Sequence, residues 1–205
     1  QLAERIRTEF PAARIVFLDP FAPTDLRYAD HIDPFIDIYI KKHALKDKSR
    51  YMEGTLGDTN LTDWYGKFFE ITQPTRHFKI PRGFFKKFMI GPSFLTAPYL
   101  LPIFWDRRSP PRLARKIDVH IRLGGLDHQN WYGMMRSLAS QKIKELCDLR
   151  LSASDPVNRR RYLHELRQSK TCFSPFGYGE VCWRDFESIA MGAVLVKPSM
   201  DHIEV

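Results

Sequence analysis

The stretch TCFSPFGYGEVCWRDFESIAMGAVLVKP, Thr171–Pro198, decides how the chain is read. It opens on a short apolar run, passes through Gly177 and Gly179, continues with apolar residues at helical spacing, and closes on AVLVKP. Short apolar runs bounded by glycine and proline suit buried strands, and the segment between them suits a helix starting near Val181. A strand, a helix and a second strand joined by short links form a parallel pair with a crossover helix.

The same alternation extends upstream. KIDVHIRLGG (Lys116–Gly125) reads as a strand ending in two glycines, and NWYGMMRSLASQKIKELC (Asn130–Cys147) as a helix. Trp131, Met134, Met135, Leu138, Ile143 and Leu146 lie at helical spacing on it. LRLS (Leu149–Ser152) predicts a short strand. DPVNRRRYLHELRQS (Asp155–Ser169) predicts a helix with Asp155 as cap and Pro156 at its first position. Nearer the start, RIVFLDPF (Arg14–Phe21) and FIDIYIKK (Phe35–Lys42) are strand-like, the latter alternating Phe35, Asp37 and Tyr39 with Ile36, Ile38 and Ile40. GDTNLTDWYGKFF (Gly57–Phe69) reads as a helix capped by Thr62 or Asp63. No internal repeat interrupts the pattern. The fold class is α/β, two Rossmann-like halves with mostly parallel sheets.

With 205 residues, 43% of them hydrophobic, the chain can bury a sizeable core, which excludes disorder as its default state. Its three cysteines, an odd count without metal-ligand spacing, point away from a disulfide framework and toward a reducing, cytoplasmic setting. The chain opens on Gln1, and QLAERIRTEF reads as an amphipathic helix rather than a signal peptide. It is therefore expected to be a piece of a longer protein, with both halves truncated.

The net charge of +8 is unevenly spread: residues 76–116 hold ten Lys and Arg against one acid, while residues 1–75 and 117–205 are nearly balanced. Such a segment suits phosphate, either of nucleic acid or of an anionic membrane surface. No RNP-like or zinc-finger pattern supports nucleic acid. Inside the basic segment, FMIGPSFLTAPYLLPIFW (Phe88–Trp105) is 18 residues without a charge. Pro92, Pro98 and Pro102 argue against a membrane-spanning helix, because each removes a backbone donor. Two readings remain, a buried crossing between halves and a shallow lipid-facing surface for a peripheral membrane protein.

Parallel sheets bind ligands beyond the carboxyl ends of their strands. Two loops leave strands at that edge with glycines, Gly124 and Gly125 in one and Gly177 and Gly179 in the other. Glycine admits close approach of backbone, and the helix that follows offers free N–H groups to an anion. Glu180, Arg184 and Glu187 stand at i, i+4 and i+7, with Cys182, Trp183, Phe186, Ile189 and Ala190 on the opposite side. That arrangement is either a solvated stripe or a ligand-facing one. A dinucleotide fingerprint fails because Cys182 holds the third glycine position. His120 and His128 lack partners at metal-ligand spacing, so no metal site is expected.

The run FGYGEVCWRDFESIAMGAVLVKP resembles the donor-binding signature of GT-B glycosyltransferases, of both the group 1 and the exostosin-like type. Glu187, Gly192, Val194 and Val196 match its second half, and Arg184 and Phe186 the exostosin-like part. Arg115–Arg136 resembles the first strand, phosphate loop and helix of the exostosin-like donor domain. Six residues separate Glu180 from Glu187, one fewer than in the group 1 pattern. The resemblance covers about the last ninety residues. It implies a metal-independent, hexosyltransferase-like enzyme of polysaccharide biosynthesis with no cofactor, moving a sugar from a nucleotide-sugar donor to a glycan or lipid-linked acceptor.

By the same resemblance, residues 1–112 form part of the acceptor-side half with the basic crossing, and residues 113–205 the donor-side half. Glu187 would receive ribose hydroxyls, and Gly124, Gly125, Gly177, Tyr178 and Gly179 would line the diphosphate. Arg122 or Arg184 would neutralise the leaving diphosphate, and Glu180 would face the sugar. A catalytic base for inversion would come from Asp25 or Asp30, each of which is equally suited to capping. The alternatives are a non-catalytic nucleotide- or glycan-binding module, a degenerate transferase half, and a basic nucleic-acid-binding domain.

Overall fold

The computed structural model describes residues 2–91, 98–105, 114–146, 148–153 and 155–205. The chain divides into two units, Gln1–Thr96 with Met200–Val205, and Ala97–Ser199. The first runs α1 (Leu2–Glu9), β1 (Val16–Leu18), α2 (Ala29–Ile32), β2 (Ile38–Lys41), β3 (Ala44–Leu45), β4 (Thr55–Leu56), α3 (Asn60–Phe68), β5 (Thr75–Arg76) and β6 (Phe88–Ile90). The second runs α4 (Leu101–Trp105), β7 (Ile117–His120), α5 (Trp131–Lys144), α6 (Arg159–Arg167), β8 (Ser169–Phe173), α7 (Trp183–Ala190) and β9 (Val194–Val196). β10 (Ile203–Glu204) returns to the first unit and pairs antiparallel with β3.

Each unit is built on a three-stranded parallel sheet, β1-β2-β6 in one and β7-β8-β9 in the other. This mixed α/β architecture is consistent with two small Rossmann-like halves. Expected and observed helices agree in place but differ at their starts. Thr59, not Thr62 or Asp63, caps α3 by accepting from the Thr62 N–H, while Asp63 accepts from the Leu56 N–H instead. Asn158, three residues past the expected Asp155, caps α6 by accepting from the Arg161 N–H. LRLS contributes a single parallel bridge, Val119 to Leu151, rather than a strand.

The charge-free stretch is divided. Its first three residues enter the first sheet as β6, and its end forms α4 in the second unit, with Leu100 buried and Trp105 exposed. Residues 92–97, including Pro92, lie outside the described residues. Among the described residues no helix is long and apolar enough to cross a membrane.

The core of the first unit gathers Tyr39, Phe84, Leu26, Ala29, Ile36 and Ile203, with Phe85 and Phe88 against it. Tyr39 and Lys41 alternate on the buried face of β2, so Lys41 is carried into the interior by strand period alone. There Lys41 Nζ and the Tyr39 hydroxyl both donate to Asp19 Oδ2 at 2.6 Å. Lys41 is 1% and Asp19 3% exposed. Burial pushes the Lys41 pKa down, against the pull of Asp19. An ion pair this deep holds only while both partners are present, since a lone buried charge has no solvation to fall back on.

Lys41→Met is therefore expected to cost about 3–5 kcal/mol of stability. Asp19→Asn combined with Lys41→Met is expected to cost less than Lys41→Met alone, because the orphaned carboxylate is gone. Urea denaturation of the three proteins checks the order; a double variant weaker than the single one would show that the pair is not the source of the loss.

Candidate functional site

In the second unit β7 hands the chain to Ile121-Arg122-Leu123, with Ile121 and Leu123 buried and the Ile121 N–H held by Ser152 Oγ at 2.9 Å. Gly124 and Gly125 follow. Gly125 has φ +74°, and a Cβ there would stand 2.6 Å from the Tyr132 ring. The loop then closes onto α5, where Asn130 caps the Gly133 N–H at 3.1 Å. Gly133 packs directly on the His128 carbonyl, leaving no room for a side chain.

That contact sets the rotation of α5. The helix buries Trp131, Gly133, Met135, Arg136 and Ser140 and leaves Met134 and Leu138 exposed. Two of the six apolar residues at helical spacing, Met134 and Leu138, thus turn outward, while Arg136 is carried inside.

The second glycine loop follows β8, where the Gly177 N–H bonds the Gly179 carbonyl at 3.1 Å. Asp185 organises its far side. Its carboxylate accepts from Ser174 Oγ at 2.7 Å, the Cys182 N–H at 3.0 Å and Lys197 Nζ at 2.5 Å. Lys197 also donates to the Glu180 carbonyl at 2.6 Å. The ends of β8 and β9 are thus tied to the first turn of α7. With Asp185 turned inward, α7 buries Asp185, Glu187 and Ser188 and exposes Ile189 at 60%. The expected arrangement, Ile189 inside and the polar stripe outside, is reversed.

Arg184 is consequently drawn inward, its Nη2 donating to the Arg122 carbonyl at 2.5 Å. Its Nε and Nη1 are shut off from solvent and have no hydrogen-bond partner among the described residues. Arg136, 5% exposed, donates from Nη1 to the Gly124 carbonyl at 2.8 Å, and its Nε is likewise buried and unbonded. Burial lowers the Arg136 pKa, and the charge of Arg184 lowers it further. Two guanidiniums therefore donate to carbonyls two residues apart in one loop, Arg122 and Gly124, with no ion pair among the described residues. Buried donors are almost always bonded, so these spare donors call for an acceptor that the described residues do not supply.

An aromatic group joins the two loops. Tyr178 stacks on Tyr132 with centroids 4.3 Å apart and planes at 10°, and its hydroxyl lies 3.4 Å from His128 Nδ1. Arg136 lies over the Tyr132 ring at 4.5 Å.

The residues expected from sequence are placed as follows. Gly124, Gly125, Gly177, Tyr178, Gly179 and Arg184 come together around the two loops. Arg122 follows β7, but its fork is filled by Glu165, Nε to Oε2 at 2.5 Å and Nη2 to Oε1 at 2.9 Å. Glu187 is 8% exposed and 3.9 Å from Arg159; burial raises its pKa, against the pull of Tyr162 and Arg159. Glu180 is fully buried beside the Lys197 contact.

Asp25 belongs to the first unit, where both its oxygens are held by Arg27 at 2.7 and 3.0 Å. Arg27 reaches on to Asp58 at 3.1 Å. Burial raises the Asp25 pKa despite Arg27. It lines a cavity of about 40 Å³ with Thr24, Asp58, Asn60, Arg50 and Arg76. Asp30 is paired with Lys79 at 2.9 Å. Sequence reasoning missed Arg136, Tyr132 and Tyr162; the one available signal was WYGMMR, where an arginine follows a glycine-bearing first turn. Among the described residues no group of three or more His, Cys, Asp or Glu is placed to hold a metal ion. No family model and no curated protein sequence matches the chain.

His120, at the end of β7, is fully buried, edge-on to Tyr162 and 3.8 Å from Glu165. Burial, aided by the charge of Arg184, lowers its pKa to about 4. The unfolded chain takes up a proton near pH 6.5 that the folded one refuses until about pH 4, so stability is full above that window and falls as pH falls through it. The loss amounts to about 3 kcal/mol at most. Unfolding profiles at pH 7 and pH 4.5 should differ less for His120→Asn than for the wild type; parallel profiles would show that His120 is not the group responsible.

Proposed function

We propose that the second unit binds the diphosphate of a nucleotide sugar at the carboxyl edge of the β7-β8-β9 sheet. On this reading the chain is part of a metal-independent GT-B glycosyltransferase acting on a glycan or lipid-linked acceptor. The observation that carries the reading is the pair Arg136 and Arg184, two buried guanidiniums with spare donors on the loop that ends in Gly124 and Gly125. A diphosphate supplies several acceptor oxygens to such a pair, and an arginine fork suits it better than a lysine does. With the fork of Arg122 given to Glu165, charge compensation falls to Arg136 and Arg184.

In the proposed reaction the bond from the anomeric carbon to the diphosphate oxygen breaks, and an acceptor hydroxyl oxygen bonds to that carbon. The sugar passes through oxocarbenium character. The departing electron pair stays on the diphosphate, where the two arginines stabilise it. Glu187 accepts the ribose hydroxyls, Glu180 faces the sugar, and the proton of the acceptor hydroxyl passes to water. The same reading expects a cytoplasmic protein, at the membrane where the acceptor is lipid-linked. The engagement of both Asp25 oxygens by Arg27 favours a second reading, a module that binds the nucleotide sugar without turning it over.

Calorimetry with a panel of nucleoside diphosphate sugars tests the proposal. One member is expected to bind, and Arg136→Gln is expected to weaken it by about ten- to a hundred-fold, the value of a charge-assisted bond. The parent nucleoside should lose far less. Equal losses for diphosphate and nucleoside, or no binding by any member of the panel, would remove the reading. Binding without sugar transfer to any acceptor selects the second one.

Gly125→Val adds an independent check. A β-branched residue resists φ +74° and meets the Tyr132 ring. Loss of diphosphate binding is expected together with a lower melting temperature; a variant that binds as the wild type does would place the phosphate elsewhere.

A further inference from the structure

A second group of cations lies on α6, away from the arginines that face the glycine loops. In NRRRYLHELR, Arg160, His164 and Arg167 stand at i, i+4 and i+7 on one face. The opposite face is fixed by Leu166, fully buried against Cys172, Met191 and Ala193, and by Tyr162. The cationic face is therefore held outward by packing. Together with Asn158, Arg161 and Leu163 it lines a concave surface of about 610 Å³.

The acid of the helix does not neutralise this surface. Glu165 accepts the fork of Arg122 and, at 3.2 Å, the Nε of Arg161. Arg167 directs its Nε to the Met191 sulfur at 3.1 Å, and no carboxylate pairs with it among the described residues. The side chains of Arg160 and His164 make no hydrogen bond or ion pair among the described residues.

We propose that this groove binds an acidic oligosaccharide, a chain of sugars bearing carboxylate or sulfate groups. Arg160 and Arg167 are about 10 Å apart along the helix axis at 1.5 Å per residue. That spacing suits charges repeated along a chain better than one compact anion. Arginine forks bind carboxylate and sulfate oxygens in pairs. His164 is the one ring among the residues that line the groove, and a single imidazole is too little to stack successive bases. Leu163 is its one apolar side chain, too little to hold a helix in a bilayer interface. Charge complementarity over a span of charges, with one imidazole and one leucine beside it, favours the acidic glycan as the occupant. The site does not depend on the diphosphate reading.

Binding of the full chain is measured at fixed ionic strength to an oligogalacturonate, a sulfated oligosaccharide, a neutral oligosaccharide of equal length, a single-stranded oligonucleotide and phosphatidylserine vesicles. One or both acidic oligosaccharides are expected to bind, the two arms separating carboxylate from sulfate, and the neutral one not. Arg160→Glu and Arg167→Gln are each expected to weaken that binding about ten-fold or more, whereas Arg5→Glu on α1 leaves it unchanged. The Arg160 side chain has no partner to lose among the described residues, so Arg160→Glu is expected to keep the fold, and its circular dichroism checks this. Failure of both acidic oligosaccharides to bind, or equal affinity in Arg160→Glu, overturns the proposal. Tighter binding of the oligonucleotide or the vesicles, lost in the same variants, also overturns it and assigns the groove to that partner.

Discussion

Each parallel sheet is locked at its carboxyl edge by a buried carboxylate that accepts from one lysine and one hydroxyl. In the first unit Asp19 takes Lys41 and Tyr39, and in the second Asp185 takes Lys197 and Ser174. Burying such a pair carries a desolvation cost that only near-complete hydrogen bonding offsets. Asp185 meets this demand by also accepting the Cys182 N–H. Strand ends, glycine loop and helix start in the second unit are therefore fixed by one side chain, and shifting any of them leaves a charge unpaired.

The lock has a consequence for the arginines. Turning Asp185 inward rotates α7 so that Arg184 meets the Arg122 carbonyl and Glu187 meets Tyr162. On α5 the contact of Gly133 with His128 does the same for Arg136. Both helices bury polar residues and expose aliphatic ones, Ile189 on the first and Met134 and Leu138 on the second. Unbonded guanidinium nitrogens in the interior are a standing cost. Their persistence on a glycine loop at a sheet edge is the physical argument for an anionic ligand, whatever its remaining chemistry. The stacked Tyr132 and Tyr178 hold the two loops together over the same region.

From β7 to β9 the order of strands and helices was legible in the sequence, LRLS apart, because apolar runs of period two and 3.6 differ even without a partner. So were the two glycine loops, whose residues need backbone freedom wherever the chain goes, and the strand TCFSP that follows α6. The caps were less legible: Thr59 and Asn158 win over Asp63 and Asp155 because the start of a helix depends on which neighbour reaches the free N–H groups. Which way α5 and α7 face could not be read from their apolar spacing. One close backbone contact and one buried ion pair outweigh several exposed methyl groups, and both arise only when distant segments meet. Sequence alone determined that Arg184 would stand beside a glycine loop. Only the tertiary structure decided that Arg136 would join it and that Glu165 would claim Arg122, since charge pairing in the interior is settled by which side chains burial brings within reach.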